Sequence, residues 1–256
     1  MRRSTPCCSP VAVAQRKLLD LLRDLDARAV AEVLEPFATP ERIARFRGVF
    51  AARLDAITVL MDACYDPQNG AAVVRTCDAF GLQRMHIVER SETFLASTNV
   101  ARGSERWVDV HTYRTTAEAL AALRATGHEL IATHPNGELQ PADLRHIPRF
   151  ALILGNERDG IHPELNAAAT RSVAIPMRGF AESLNVSVAA AILLQHATST
   201  REGDLPEAEK AYLYARALIL TIPHAPEILA ARGISLPAPL PMAATGRQGA
   251  GRVRSP

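Results

Sequence analysis

The chain has 256 residues, enough for one large domain or two small ones with a sizeable core. Hydrophobic residues make up 48% and charged residues 22%, which excludes bulk disorder and collagen-like structure. The formal net charge of +2 leaves the partner open, because a nearly balanced total can hide a basic face.

Even the apolar stretch 186–194 is broken by Ser187 and followed by Gln195 and His196. No run reaches the ~18 apolar residues of a membrane-spanning helix, so no membrane contact is expected. The cysteines Cys7, Cys8, Cys64 and Cys77 form no Cys-x-x-Cys and no Cys–His spacing suited to zinc. No metal site is expected, and a reducing cytoplasm fits this cysteine usage. The first residues carry Arg2 and Arg3 without a long apolar stretch, and read as a frayed leader rather than a secretory signal. Of the 29 basic residues only Lys17 and Lys210 are lysines. Genome composition can produce such a bias, yet the planar guanidinium also suits phosphate.

In chain order, residues 11–35 carry Leu18, Leu21, Leu22, Leu25, Ala29 and Val33 at helical spacing, and Pro36 ends that helix. Thr39 caps and Pro40 opens the next one, where Arg42, Arg45, Arg47 and Arg53 stand on a solvated face or a phosphate-contacting patch. From residue 57 the pattern becomes α/β. Strands are expected at 57–61, 85–88, 129–133, 151–154 and 172–175. Helices are expected at 69–80, 115–125 (capped by Thr115 or Thr116 and stopped by Gly127), 163–170 and 185–198. This alternation predicts a mainly parallel sheet with helices on both faces. Helices at 207–220 and 225–232 follow, the second ended by Gly233. Beyond Pro237 a Pro/Gly/Ala-rich tail with Arg247, Arg252 and Arg254 reads as disordered.

The familiar phosphate cradles are missing. The turn after the first strand reads Asp66-Pro67-Gln68-Asn69-Gly70, with no Gly-x-Gly-x-x-Gly, and no P-loop lysine stands near a strand end. No Gly-x-Ser-x-Gly elbow exists either. Three strand ends stand out instead. After the first strand, Asn69 is placed to cap a helix, and Arg75 falls inside an apolar helix, where it needs either a structural salt bridge or an anionic ligand. After 151–154 come Gly155-Asn156-Glu157-Arg158-Asp159-Gly160, two glycines around four polar residues, which permit a sharp turn and a close approach. After 172–175, capping explains Ser183 or Asn185 but not both around Leu184.

Together these segments resemble the SPOUT superfamily of knotted RNA methyltransferases, and within it the TrmH-type tRNA ribose methyltransferases. The first motif is Asn69-Gly-Ala-Ala-Val-Val-Arg75-Thr-Cys-Asp-Ala-Phe-Gly81, the second Leu154-Gly-Asn-Glu157-Arg-Asp-Gly160. The third is Ile175-Pro-Met-Arg-Gly-Phe-Ala-Glu-Ser183-Leu-Asn185-Val-Ser-Val-Ala189. The likeness covers roughly residues 39–200, and Gln68-Asn69-Gly70 departs from the His-Asn more usual in the branch.

The resemblance implies an α/β fold ending in a C-terminal trefoil knot, with extra N- and C-terminal helices. Its domains would be a leader and helical extension (1–53), the methyltransferase domain (54–200), a helical extension (201–235) and the tail (236–256). It implies S-adenosylmethionine as cofactor, tRNA as substrate with guanosine 18 as the modified nucleotide, and a homodimer whose site is built across two subunits. The cofactor loops would be Ala132-Thr133-His134, Leu154-Gly155-Asn156, Ile175 with Met177, and Ser183-Leu184. Arg75 would act on the 2'-hydroxyl, with Asn69, Glu157, Ser183 and Asn185 positioning it, the ribose and the cofactor. Because guanidinium rarely loses its proton, alkoxide stabilisation and phosphate grip suit Arg75 better than a base role. Arg42, Arg45, Arg47 and Arg53, with Arg216 and Arg232, would meet RNA phosphates. The alternatives are a ribosomal RNA 2'-O-methyltransferase of the same fold, an RNA-binding protein without catalysis, and a nicotinamide oxidoreductase.

Overall fold

The computed structural model describes residues 22–63, 66–89, 103–156 and 158–236. The leader, Cys7, Cys8, Cys64, Glu157 and the tail from Pro237 lie outside the described residues. The chain forms two compact units. One contains Ala44–Lys210, and the other contains the described parts of Pro10–Ile43 and Ala211–Pro256.

In the smaller unit, Asp26 caps helix α1 (Ala27–Leu34), its side chain accepting from Arg28 N at 2.9 Å and Ala29 N at 3.2 Å. The sequence pattern suggests one continuous helix here. The described part instead breaks into a 3-10 turn (Leu22–Asp24) and α1, because the Asp26 carboxylate takes the amides that continuing the helix would use. Thr39 caps helix α2 (Pro40–Ala51), accepting from Arg42 N at 3.3 Å.

The larger unit is built on a six-stranded sheet in the order β3-β2-β1-β5-β4-β6. The strands are β1 (Ile57–Asp62), β2 (Arg84–Val88), β3 (Asp109–Tyr113), β4 (Glu129–Thr133), β5 (Phe150–Leu154) and β6 (Arg171–Val173). Every pairing is parallel. Buried along their whole length, β1 and β5 form the centre, as unbroken apolar runs do in a sheet covered on both faces. Helices α3 (Pro67–Ala79) and α6 (Val186–Thr198) cover one face, where Val73, Val74, Cys77, Leu193 and Leu194 meet Val59, Met61 and Leu152. Helices α4 (Thr116–Ala125) and α5 (Pro163–Ala168) cover the other, with Leu120, Leu123 and Leu165 against Leu60 and Ile153. Strand β3 has no counterpart in the sequence reading: Asp-Val-His-Thr-Tyr is half-exposed at the sheet edge and carries no apolar run. Helices α7 (Glu207–Thr221) and α8 (Ala225–Ala230) close the described chain.

The segment after β4 leaves β6 at His134, crosses over and pairs in parallel with the far edge of β6 at Leu139. His134 N donates to Val173 O at 3.0 Å, Leu139 N to Ser172 O at 2.9 Å, and Ala174 N to Leu139 O at 3.0 Å. Strand β6 is thus gripped by β4 on one side and by Leu139 on the other. The approach is close enough that a Cβ on Gly137 would lie 2.6 Å from Ala174 N.

Candidate active site

Helix α3 leaves β1 and is capped by Asp66, whose carboxylate accepts from Gln68 N at 2.8 Å, with Pro67 in the first turn. The expected cap, Asn69, is therefore not the cap; it sits inside the first turn, and its side chain has another task. That task is a bond to the third motif: Asn185 Nδ2 donates to Asn69 Oδ1 at 2.9 Å. Asn185 is the cap of α6, its Oδ1 accepting from Ser187 N at 2.8 Å. One residue thus closes a helix terminus with its oxygen and reaches the first motif with its nitrogen. Ser183, the other polar residue beside Leu184, stays exposed and out of the cap.

Arg75 is exposed on α3, not buried as an arginine inside an apolar helix suggests. Valines 73 and 74 face the core while the guanidinium points away from it, and among the described residues it has no carboxylate partner. Among the described residues no structural salt bridge accounts for it.

Strands β5, β4 and β6 are neighbours and parallel, so the chain leaves them side by side at their carboxyl ends. Such an edge is where ligands of open α/β sheets collect. Ala132 is buried, Thr133 Oγ1 donates to Ile153 O at 3.0 Å, and exposed His134 accepts from Asn136 N at Nδ1 (3.1 Å). Buried Leu154 leads into Gly155, where a Cβ would strike Gly160 and lie 2.7 Å from Ile161 N. The glycine thus serves a loop closing on itself. Asn156 and Gly160 exchange backbone bonds of 3.0 and 3.2 Å, and Asn156 Oδ1 accepts from Arg158 N and Asp159 N at 2.9 and 2.8 Å. After β6, residues 174–185 form no regular element, with Ile175 and Leu184 half-buried and Met177 exposed.

The profile of the SpoU rRNA Methylase family matches residues 56–195. The tRNA (guanosine(18)-2'-O)-methyltransferase of Escherichia coli K12 is 34% identical over 67% of this chain and 79% of its own. This chain belongs to the SpoU methylase family. Among solved structures, the Aquifex aeolicus TrmH/SpoU tRNA modifying enzyme superposes with TM-score 0.57 at 30% identity, covering 75% of this chain and 94% of that one. The AdoMet-bound rRNA methyltransferase of Sinorhizobium meliloti gives TM-score 0.52 at 27% identity, covering 59% of each chain.

For this SpoU methylase, the arginines expected to face RNA divide. Arg42, Arg45 and Arg47 are exposed on α2. Arg53 is not available: 1% exposed, it is ion-paired to Asp78 and donates to Leu82 O at 3.0 Å. Arg216 is likewise buried, stacked over the Tyr212 ring at 5.7 Å, whereas Arg232 is exposed. Both corrections have one cause: an arginine at a helical position shows its charge in sequence but not the carboxylate or ring that will cover it. Sequence reasoning also missed Asp62, buried at the end of β1, whose Oδ2 accepts from His162 N at 2.7 Å and pins the chain just past the Gly155 loop. Cys77 is buried within α3, and burial pushes its thiol up to about 12, so it is no nucleophile. Among the described residues no His/Cys/Asp/Glu group could hold a metal, and no helix is long and apolar enough to cross a membrane.

Proposed function

We propose that this protein transfers a methyl group from S-adenosylmethionine to the ribose 2'-hydroxyl of guanosine 18 in tRNA. The observation that carries the reading is the Asn185–Asn69 bond. It ties the helix bearing Arg75 to the irregular segment beside the ends of β4, β5 and β6. The E. coli and A. aeolicus proteins, named for tRNA, support the substrate, and their likeness covers at least 67% of this chain.

The residues present fit the cofactor. Ile175, Met177 and Leu184 offer apolar surface for the adenine, while backbone groups of 132–134 and 154–156 offer polar edges. The AdoMet-bound S. meliloti enzyme supports the same choice. When bound, S-adenosylmethionine supplies a methyl on a cationic sulfur, open to in-line attack by the ribose oxygen. Arg75 stabilises that oxygen as charge develops and grips the adjacent phosphate, while the hydroxyl proton passes to solvent and the sulfur leaves as a neutral thioether. Asn69 and Asn185 hold the two helices in register; Ser183 adds an exposed hydroxyl beside them, and Glu157 is assigned a positioning role by its place in the second motif alone.

The site works in a homodimer, with Arg75 reaching the partner's cofactor loops. Exposed apolar Met177, Phe180 and Val188 beside the site support this, since such a patch marks an interaction surface. The grip on both edges of β6 supports a trefoil knot, in which the chain after β6 threads the loop formed by 134–139. Residues 54–200 would form the methyltransferase domain, between helical extensions at 1–53 and 201–235. Arg42, Arg45 and Arg47 would contact tRNA phosphates. A reducing cytoplasm suits the free thiol of Cys77.

A second reading, ribose methylation of ribosomal RNA, is favoured by the family description and by the S. meliloti enzyme. Labelled cofactor offered with unmodified tRNA and ribosomal RNA side by side decides between them. Label in tRNA is the expected outcome; label confined to ribosomal RNA overturns the first reading.

A further inference from the structure

The N-terminus of α6 holds one bond more than its cap requires. Asn185 Oδ1 already satisfies the helix by accepting from Ser187 N at 2.8 Å. The same oxygen also accepts from the Ser187 hydroxyl at 2.7 Å. Removing that hydroxyl leaves the cap intact, so helix closure does not explain it. Its effect falls on the amide itself. The terminal torsion of asparagine is broad. The backbone amide holds the oxygen and Asn69 Oδ1 holds Nδ2 at 2.9 Å, and the hydroxyl adds a second hold on the oxygen that narrows the swing left to the carboxamide and so the direction of Nδ2.

We infer that Ser187 is a positioning residue for methyl transfer, acting through Asn185 on Asn69 and so on the helix that carries Arg75. This rests on the proposed transfer reaction for its kinetic consequence, but not for its geometric one. Ser187 is half-buried in the first turn of α6, and its hydrogen goes to Asn185 rather than outward. It therefore sets the register of α3 against α6 without touching substrate. Asn185 Nδ2 keeps a second hydrogen that the relay does not use, held in a fixed direction.

Two readouts test this, and they fail separately. In protein labelled with 15N-asparagine, the Asn185 side-chain NH2 is expected to be rigid in the wild type, mobile in Ser187→Ala and rigid again in Ser187→Thr. Equal order in wild type and Ser187→Ala overturns the inference, whatever the enzyme's substrate. In steady-state methylation of tRNA, Ser187→Ala is expected to lower kcat about five-fold, the worth of one neutral hydrogen bond. KM for S-adenosylmethionine and the melting temperature should hold, and Ser187→Thr should restore kcat. In an Asn185→Ala background the same change should cost nothing further. A full additional five-fold loss there would show that Ser187 acts by another route and overturn the relay. A wild type inactive on tRNA would fault the proposed substrate and leave the spectroscopic result to judge the relay.

Discussion

Arg75 shows what a single position can say before its surroundings are known. A guanidinium between Val74 and Thr76 in an apolar helix signals a task; it is exposed, and among the described residues no carboxylate pairs with it. Arg75→Ala is expected to bind S-adenosylmethionine with near wild-type affinity in calorimetry while losing methyl transfer about a hundred-fold or more, the scale of a lost charge stabiliser. Asn69 was legible as a special residue but not in its role. Capping passed to Asp66, three residues earlier, and the Asn185 bond spans 116 positions, beyond any local spacing rule. Gly155 was legible as a close approach, although what approaches is the protein's own Gly160–Ile161 backbone. Gly155→Ala should therefore lower stability by about 1–3 kcal/mol through overpacking. It should also weaken cofactor binding, which a melt and a titration would read. Arg53 was misread because it lies past the end of α2 and its cover, Asp78, is 25 residues away on α3.

At the scale of elements, apolar runs announced β1 and β5, and a threonine cap with a glycine stop announced α4, where the structure adds a capping box of Thr115 with Glu118. Strand β3 escaped because an edge strand needs no apolar run. The break before α1 escaped because Asp26 sits inside a helical leucine pattern. Strand β2 and the start of β4 bury two histidines in their neutral form. Burial first, then His111, His128 and Arg84, hold His86 down to about 3. Burial first, then Arg149 and Arg84, hold His128 down to about 4. Both groups titrate near 6.5 once unfolded, so below that pH the unfolded chain binds more protons than the folded one. Their influence is absent above about pH 6.5, and stability falls as pH drops from there toward about 4 and then 3. Unfolding followed by denaturant across this range should show that slope, and His86→Leu should reduce it by up to about one proton. An unchanged slope in His86→Leu would remove His86 as its source.

The whole molecule was legible as a parallel α/β sheet with helices on both faces, because alternating strands and helices leave few other packings. Sheet order and the grip of Leu139 on β6 were not, since both depend on pairings between distant segments. The proposed assembly makes its own prediction. If Arg75 serves the partner's cofactor loops, a mixed dimer of Arg75→Ala and Leu184→Glu chains holds one site with both defects and one with neither. Mixing two inactive homodimers should then restore up to about half the wild-type activity per mixed dimer. No recovery, with exchange verified by mass, would put Arg75 and the loops of one chain in the same site.

The account as a whole turns on which atom receives the methyl group. Unmodified tRNA incubated with the protein and labelled S-adenosylmethionine, then digested and mapped by mass spectrometry, answers this directly. The account predicts a single methyl on the ribose of guanosine 18, absent with Arg75→Ala; a methyl on a base, or none on tRNA at all, would contradict it.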